Sequence, residues 1–284
     1  LDLKCDIAQK LGYINPRAVL LTPSGTAATL VVLHLLRHLG KTRLWTVLPA
    51  YFQIPVAAQE IGFEVLCDHV RQDSSGWSVP DLSRLNAQTD AVWITHPIYG
   101  IGDTFTQTTV KELLSYMAVG GLVVGDECLC TVGTELGRKL GSTSGFIGTY
   151  SPHKSVCMNG VKLGAVIADP EYQEALEYLS DIWAGPLTRM SIADAKHFLS
   201  QNFDEMMLAV QTKLAESEAV LRQICNKYDC TLLGSMGPYR AVRVNGVSRD
   251  LELSLSYVSR LIHKTGTSFL PSHVNLGPPD APFS

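Results

Sequence analysis

The chain has 284 residues, of which 46% are hydrophobic and 18% are charged. This composition excludes wholesale disorder and is ample for a real core, in one large domain or two smaller ones. The net charge of −4 (23 Lys and Arg against 27 Asp and Glu) gives no support to nucleic-acid binding, and no apolar run reaches the ~18 residues of a membrane span.

The seven cysteines are odd in number and scattered along the chain. The spacing of Cys128 and Cys130 is unusual for a metal site, and we expect no zinc site. His34 and His38 lie one helical turn apart without a third ligand nearby, which favours a surface or interface role. These features predict a protein of a reduced, cytoplasmic compartment.

Short apolar segments alternate with helical patterns along the first part of the chain. Their order predicts strands at 19–21, 44–48, 64–67, 91–95, 122–125, 146–150 and 165–168. Helices are predicted at 26–39, 55–61, 80–86, 109–119 and 171–183. Because the strands are continuously apolar rather than alternating, we expect an α/β fold with a mainly parallel sheet covered on both faces.

The pattern changes after Asp169-Pro170. One long helical pattern runs over 191–228, and the remaining segments predict strands at 231–233 and 239–244, a helix at 251–263 and a strand at 267–270. We therefore predict a large domain over 1–185, and a long helix with a small α+β domain over 186–284.

Groups of residues that can bind a ligand follow several predicted strands, whose carboxyl ends meet at one edge of a parallel sheet. Ser24, Gly25 and Thr26 form a small turn that opens into a helix. Its N–H groups, its dipole and its hydroxyls suit an anion such as phosphate, although Ser and Thr are also ordinary helix caps. Tyr51, after the second strand, can stack on a flat ligand or belong to the core.

Two further groups carry charge. Asp126 follows a buried strand, where a carboxylate is costly without a partner such as a cationic ligand nitrogen; a helix cap or a salt bridge is the alternative. Lys154 lies between two apolar strands and can form a Schiff base, although most lysines are solvated. A phosphate cradle, an aromatic plate, an acid and a lysine, in that order, are the parts needed to hold pyridoxal phosphate.

With this series the chain resembles the fold-type I pyridoxal-phosphate enzymes, specifically the class I/II aminotransferases, from about Ala18 to its end. The most specific part is Ser151-x-x-Lys154, with Lys162 eight positions on and Gly164 two further. The resemblance implies a sheet of the seven-stranded type with a smaller C-terminal domain. It also implies a homodimer whose active sites lie at the subunit interface.

The resemblance assigns a role to each residue of the series. Lys154 is implied to form the internal aldimine with the cofactor and to carry protons, and Asp126 to face the pyridinium nitrogen. Tyr51 is implied to stack on the cofactor ring. The implied phosphate ligands are Ser24, Gly25, Thr26, Ser151 and Lys162, the last in place of the family's arginine, whose bidentate fork it lacks.

Two residues depart from the family pattern at groups that tune the cofactor. His96 is implied to replace the asparagine that bonds the cofactor's phenolic oxygen, and histidine is larger and titrates near neutrality. Leu129 replaces a tyrosine directed at the same oxygen. These changes leave cofactor binding expected and make the type of reaction less certain.

The ends of the chain also differ from the family pattern. Family members typically end in a strand whose arginine grips the substrate carboxylate, and begin with a segment that closes over the site. Here the stretch 266–272 resembles the loop and strand just before that final strand. We expect both ends to be incomplete, with an arginine on a strand within about ten residues beyond Ser284. Arg189 is a second candidate for a substrate contact, or a surface residue.

The implied activity is transfer of an amino group between an amino acid and a 2-oxo acid, through the Lys154 aldimine. A lyase, cyclase or replacement enzyme of the same fold is the alternative that His96 and Leu129 keep open. A non-catalytic protein with a regulatory cofactor is disfavoured because both Lys154 and Asp126 are present. A dehydrogenase or nucleotide-binding domain is disfavoured because the chain lacks a G-x-G-x-x-G after its first strand and a G-x-x-x-x-G-K-[ST] loop.

Overall fold

The structure is a computed structural model that describes residues 3–11, 13, 18–130, 135–158, 160, 162–201, 203–244 and 263. Within these residues the strands are β1 (Ala18–Thr22), β2 (Arg43–Leu48), β3 (Glu64–His69), β4 (Arg71–Asp73), β5 (Gly76–Ser78), β6 (Asp90–Thr95), β7 (Leu122–Asp126), β8 (Phe146–Tyr150), β9 (Gly164–Ala168), β10 (Cys230–Leu233) and β11 (Ala241–Val244).

The helices of the described residues lie between and after these strands. They are α1 (Leu3–Lys10), α2 (Gly25–His38), α3 (Gln53–Glu60), α4 (Gln107–Ala118), α5 (Glu135–Leu140), α6 (Pro152–Ser155), α7 (Gln173–Trp183), α8 (Arg189–Gln201) and α9 (Phe203–Lys227). A 3₁₀ turn at Pro170–Tyr172 precedes α7. In this part of the chain no helix is both long enough and apolar enough to cross a membrane.

Seven strands form the central sheet in the order β1-β9-β8-β7-β6-β2-β3. The pairs from β3 through β2, β6 and β7 to β8 are parallel, and β9 runs antiparallel to both β8 and β1. Two antiparallel steps restore the direction, so β1 points the same way as β8. The predicted mainly parallel sheet is confirmed, with each of its seven strands at the predicted place.

Side chains alternate between the two faces of the sheet, and both faces are covered. Leu44 and Trp93 pack into one core cluster with residues of α2, α3 and α7. Trp45 and Val92 pack into the other with residues of α1, α4, α5 and α8. The four strand side chains are fully buried, which explains why the strands read as continuous apolar runs.

The helix predicted at 80–86 is wrong: these residues form turns between β5 and β6. Asp81 accepts hydrogen bonds at its two carboxylate oxygens from the backbone N–H and the hydroxyl of Ser83, at 2.9 and 2.7 Å. Such local bonds from an aspartate compete with helix formation and stabilise a turn. The hydrogen bonds of Asp81 therefore stabilise a turn where the short periodic pattern had predicted a helix.

The helical pattern predicted over 191–228 is confirmed for the described residues by α8 and α9, with position 202 between them outside the described residues. The strand predicted at 231–233 is confirmed as β10, and the end of the one predicted at 239–244 as β11, which pairs with it antiparallel. The helix predicted at 251–263 and the strand at 267–270 lie outside the described residues, except for position 263. The division into domains at 185 stays a prediction.

A buried ion pair fastens β6 to β2. Asp90 is fully buried and accepts two hydrogen bonds from the guanidinium of Arg43, at 2.6 and 2.7 Å. It also accepts bonds from the N–H of Asn86 and the hydroxyl of Thr89. Burial raises the pKa of the Asp90 carboxyl, but the bonds from these partners outweigh it, so the pKa lies below its ordinary value.

Asp90→Ala is expected to lower the free energy of unfolding by at least about 2 kcal/mol, because it leaves several donors without their acceptor. Urea denaturation measures the change. Asp181→Ala, at an exposed carboxylate on α7, is the matched control and is expected to change stability little. Equal effects of the two substitutions would contradict this account of Asp90.

Candidate active site

The residues predicted to bind the ligand follow strands that end at the same edge of the sheet. Because β1, β2, β6, β7 and β8 run in one direction, their carboxyl ends lie together. The turn before α2, the segment after β2, the end of β7 and the start of α6 are therefore neighbours. This is the edge at which open α/β sheets bind their ligands.

The predicted phosphate cradle is a tight junction between the start of α2 and the end of β8. Ser24 caps α2, and its hydroxyl accepts a hydrogen bond from the N–H of Ala27 at 3.1 Å. A Cβ on Gly25 would lie 2.3 Å from Ser151 Oγ and 3.3 Å from Cys128 Sγ. Glycine is therefore required for the helix start to approach Ser151 this closely. The first N–H groups of α2 remain available to an anion at this junction.

Gly25→Ala is expected to destabilise the protein by about 1–3 kcal/mol, the usual cost of overpacking a tight site. Adding Ser151→Ala removes the atom that the new methyl group would meet, so the double variant is expected to recover most of the loss. Thermal unfolding of the two single variants and the double variant measures this. A double variant as unstable as Gly25→Ala plus Ser151→Ala combined would contradict the steric explanation.

Asp126 is the last residue of β7 and is 5% exposed. The N–H of Cys128 donates to its Oδ1 at 3.1 Å, and the Thr149 hydroxyl donates to the same oxygen at 3.3 Å. Burial raises the pKa of the Asp126 carboxyl; these two donors and the charge of Lys154 act in the opposite direction but do not outweigh it. A buried carboxylate with both bonds on one oxygen is suited to a cationic partner at the other.

Lys154 lies on the short helix α6, directly after β8. Its Nζ lies 5.8 Å from the centre of the Tyr51 ring, so the predicted amine and the predicted aromatic plate are neighbours. His153, the preceding residue, is buried, and its Nδ1 lies 3.1 Å from the N–H of Leu163. Burial lowers the pKa of His153, and the charges of Lys154 and Lys162 lower it further. The hydrogen bond between His153 and Leu163 thus holds α6 to the segment that carries Lys162.

His96 is fully buried behind the edge of the sheet. Its Nε2 lies 3.1 Å from the hydroxyl oxygen of Thr104, and its Nδ1 lies 3.4 Å from Oε1 of Glu127. Both ring nitrogens thus lie close to protein groups of the core. The expected contact between His96 and a cofactor's phenolic oxygen stays a prediction.

His96, Glu127 and Cys130 form a buried cluster whose potential metal-ligand atoms all lie within 4.8 Å of one another. The spacing of these three residues along the chain did not predict the cluster. The Glu127 carboxylate oxygens accept hydrogen bonds from the N–H groups of Leu136 and Gly137, each at 2.9 Å. Glu127 therefore joins the end of β7 to the start of α5.

Tyr99 is the site residue that the sequence analysis missed. It is 8% exposed, and its ring centre lies 5.8 Å from that of Tyr51. Burial, the largest cause, raises the pKa of Tyr99 to about 12; Tyr239, Tyr51 and Asp126 add to this effect. In His96-Pro97-Ile98-Tyr99-Gly100 the sequence analysis singled out the histidine, which takes the place of the family's asparagine, but the tyrosine is the residue that lies beside the Tyr51 ring.

The remaining predicted residues lie at the rim. Thr26 is exposed, and its hydroxyl lies 3.4 Å from Oε1 of Gln53. Lys162 is exposed, close enough to His153 for its charge to act there. Leu129 is half-buried and shares a cleft with Tyr99. Arg189 is exposed at the start of α8, and no described contact links it to Lys154.

The residues present fit pyridoxal phosphate. A helix start with a glycine and two serines offers donors for a phosphate, and the buried Asp126 offers an oxygen for a protonated ring nitrogen. Lys154 offers the amine for the aldehyde, beside a ring that can cover a flat cofactor. The donor set thus matches each polar part of the cofactor, with Tyr51 for its ring.

Comparison with solved structures finds enzymes that share this fold. Thermus thermophilus aspartate aminotransferase, a single mutant, superposes with a TM-score of 0.81 at 14% identity, over 96% of this chain and 74% of that chain. A methionine aminotransferase of Escherichia coli gives 0.80 at 18% identity, over 98% and 76%. The cofactor-bound C-S lyase of Staphylococcus hominis gives 0.80 at 12% identity, over 96% and 74%. The TM-scores show a shared fold, and at these identities they show the fold alone.

Comparison with curated protein sequences finds no match. The sequence model of one family, aminotransferase class I and II, matches residues 1–269. The match covers nearly the whole chain, including the cradle, Asp126 and Lys154. The chain therefore belongs to the aminotransferase class I and II family.

Proposed function

We propose that this protein exchanges an amino group between an amino acid and a 2-oxo acid, with pyridoxal phosphate held covalently by Lys154. Membership of the aminotransferase class I and II family supports this activity. The observation that carries the residue assignment is the placement of Lys154 Nζ 5.8 Å from the Tyr51 ring, with its charge acting on the buried Asp126. The amine of Lys154, the ring of Tyr51 and the carboxylate of Asp126 thus lie at one edge of the sheet.

The cofactor supplies the electron sink for the carbanion at the substrate Cα. Asp126 holds a proton on the ring nitrogen by offering its buried carboxylate, which makes that sink stronger. The cradle binds the phosphate through the N–H groups at the start of α2 and the hydroxyl of Ser151. Tyr51 covers one face of the ring and so orients it.

Lys154 has two tasks in this proposal. Its Nζ would hold the cofactor through the aldehyde, and as a free amine it would move a proton between the substrate Cα and the cofactor C4′. The short helix α6 holds this amine at the site, and the bond between His153 and Leu163 fixes the helix.

A lyase acting on an amino acid with the same parts is the second candidate. The observation that favours it is Leu129, an apolar residue that lines the cleft beside Tyr99 and can contribute no hydrogen bond to the cofactor's phenolic oxygen. The C-S lyase of Staphylococcus hominis shares the fold. Both candidates use Lys154 and Asp126 and differ in where the electrons of the carbanion go.

The half-reaction with single amino acids separates these candidates. Purified, cofactor-loaded protein is mixed with each of the common amino acids while its visible absorbance is recorded. Aminotransfer predicts stoichiometric conversion to the aminated cofactor with release of the 2-oxo acid, reversed by adding a 2-oxo acid. Release of ammonia with an unchanged cofactor would contradict aminotransfer and support the lyase.

The assembly and location are part of the proposal. A homodimer is supported by exposed apolar side chains on α8 and α9, with Met190 76% and Leu208 64% exposed. Light scattering is expected to give twice the mass of the chain; a monomer that is fully active would contradict this.

A cytoplasmic location is supported by the seven cysteines, none of which is disulfide-bonded.

A further inference from the structure

The chemistry of pyridoxal phosphate restricts how its ring can lie in the candidate active site. The ring nitrogen is opposite the aldehyde, and the phosphate arm and the phenolic oxygen are on opposite sides of the line through these two groups. The proposed phosphate ligands lie at the start of α2 and at Ser151, directly after β8. Asp126, proposed to face the ring nitrogen, ends β7. With the phosphate on the β8 side of Asp126, the phenolic oxygen is directed to the other side.

The segment after β6 lies on that other side. The sheet order is β8-β7-β6-β2, and Thr95 at the end of β6 is paired with Asp126. Tyr51 follows β2, the next strand beyond β6, and its ring centre lies 5.8 Å from that of Tyr99. Residues that follow β6 therefore lie between the buried acid and the aromatic plate, on the side to which the phenolic oxygen is directed.

Neither His96 nor Leu129, the two residues at positions that the family uses for this oxygen, suits it here. His96 is fully buried, its Nε2 lies 3.1 Å from the hydroxyl oxygen of Thr104, and its Nδ1 lies 3.4 Å from Oε1 of Glu127. Both nitrogens of His96 are thus occupied by protein groups of the core. Leu129 has no polar side-chain atom, so it cannot donate a hydrogen bond.

Tyr99 is the side chain of this segment that keeps a donor for a ligand. It is 8% exposed, and in the part of the chain that the structure describes its hydroxyl forms no hydrogen bond. Two other buried tyrosines bond to the protein: the Tyr116 hydroxyl donates to the carbonyl of Asp90 at 2.9 Å, and the Tyr150 hydroxyl lies 2.6 Å from Ser155 Oγ. Because a buried hydroxyl normally has a partner, the Tyr99 donor is suited to a bound ligand.

The Tyr99 hydroxyl also belongs to the same site as Asp126. Burial, followed by Tyr239, Tyr51 and Asp126, raises the pKa of Tyr99 to about 12. The charge of Asp126 is therefore felt at this hydroxyl. With this pKa the phenol keeps its proton at neutral pH, so it can donate a hydrogen bond but does not act as a base.

We propose that Tyr99, rather than His96, donates a hydrogen bond to the phenolic oxygen of the bound cofactor. The inference rests on the proposed function and adds a cofactor-binding residue to it. A donor at this oxygen stabilises its negative charge and makes the neighbouring nitrogen of Lys154 less basic. Tyr99 thus supplies the hydroxyl that Leu129 lacks.

Tyr99→Phe keeps the ring and removes only the donor. In the cofactor-loaded protein this variant is expected to raise the pKa read from the visible absorbance by about 1 pH unit or more, because the Lys154 nitrogen becomes more basic. Absorbance spectra over a pH titration measure the change. Tyr239→Phe, at a ring 49% exposed, is the matched control and is expected to leave this pKa unchanged. An unchanged pKa in Tyr99→Phe, or an equal change in both variants, would overturn the inference.

A cofactor analogue with hydrogen in place of the phenolic hydroxyl tests the contact without any reaction. Tyr99→Phe is expected to weaken binding of pyridoxal phosphate by about 10-fold and to leave binding of the analogue unchanged. Equilibrium dialysis of the cofactor-free proteins measures both. Thermal unfolding without cofactor is expected to be the same for this variant and the unchanged protein, because no hydrogen bond within the described residues is lost. An equal loss of affinity for both ligands would show that Tyr99 only shapes the site.

The outcomes separate this inference from the function on which it rests. If the unchanged protein binds no pyridoxal phosphate, the proposed function is wrong, and the assignment of Tyr99 falls with it. If amino acids convert the bound cofactor while Tyr99→Phe keeps the pKa of the unchanged protein, the proposed function stands and only the assignment of Tyr99 is wrong.

Discussion

Lys154→Ala is expected to lower the rate of amino transfer by about 10³-fold, because the variant loses the group that moves the proton between Cα and C4′. The loss should be in the rate constant of the half-reaction more than in the apparent Kd of the amino acid. Stopped-flow absorbance with a saturating amino acid measures it. Added methylamine, a small amine that can enter the space left by the side chain, is expected to restore part of the rate.

Lys213→Ala is the matched control, since that side chain is 81% exposed on α9 and forms only a surface ion pair with Glu216. It is expected to react at the rate of the unchanged protein. A Lys154→Ala protein that keeps more than a small fraction of the rate without added amine would show that another group carries the proton.

Asp126→Asn is expected to lower the rate by about 10²–10³-fold while the cofactor still binds, because the amide keeps the shape but cannot hold a proton on the ring nitrogen. The cofactor-free variant is expected to be as stable as the unchanged protein or more so. The reason is that burial of the charged carboxylate at 5% exposure costs more than its hydrogen bonds and the charge of Lys154 return, and the amide removes that charge.

For Asp126→Asn we expect a lower rate but an unchanged or higher stability. This combination distinguishes a residue that acts on the cofactor from one that only stabilises the fold. Thermal unfolding without cofactor and half-reaction rates with cofactor are compared for the same preparation. A variant that loses stability in step with activity would indicate that Asp126 only holds β7 to β8 through Thr149.

The sheet could be predicted from the sequence because its strands are buried on both faces. Trp45 of β2 and Trp93 of β6 are both fully buried, but they lie in the core clusters on opposite faces of the sheet. Because both faces are covered, the strands are apolar throughout and stand out from the helical patterns. The helix predicted at 80–86 is wrong because hydrogen bonds within the segment stabilise turns. Its side chains bond to their own backbone, and periodicity does not record such bonds.

The site could be predicted where chain order alone decides position. Gly25, Asp126 and Lys154 follow strands whose ends coincide, and the structure brings them to one edge. Tyr99 and the buried pair of His96 and Glu127 could not be predicted in the same way. Their placement depends on how the loop after β6 turns and packs on Gly234, which lies far along the chain. Contacts of that kind leave no local pattern.

The central claim is that one amine, Lys154, binds the cofactor beside Asp126. The most direct measurement is reduction of the coloured, cofactor-loaded protein with borohydride, followed by peptide mapping by mass spectrometry. The account predicts loss of the visible absorbance and a pyridoxyl group on the peptide that contains Lys154. A pyridoxyl group on any other lysine, or a protein that binds no cofactor at all, would contradict it.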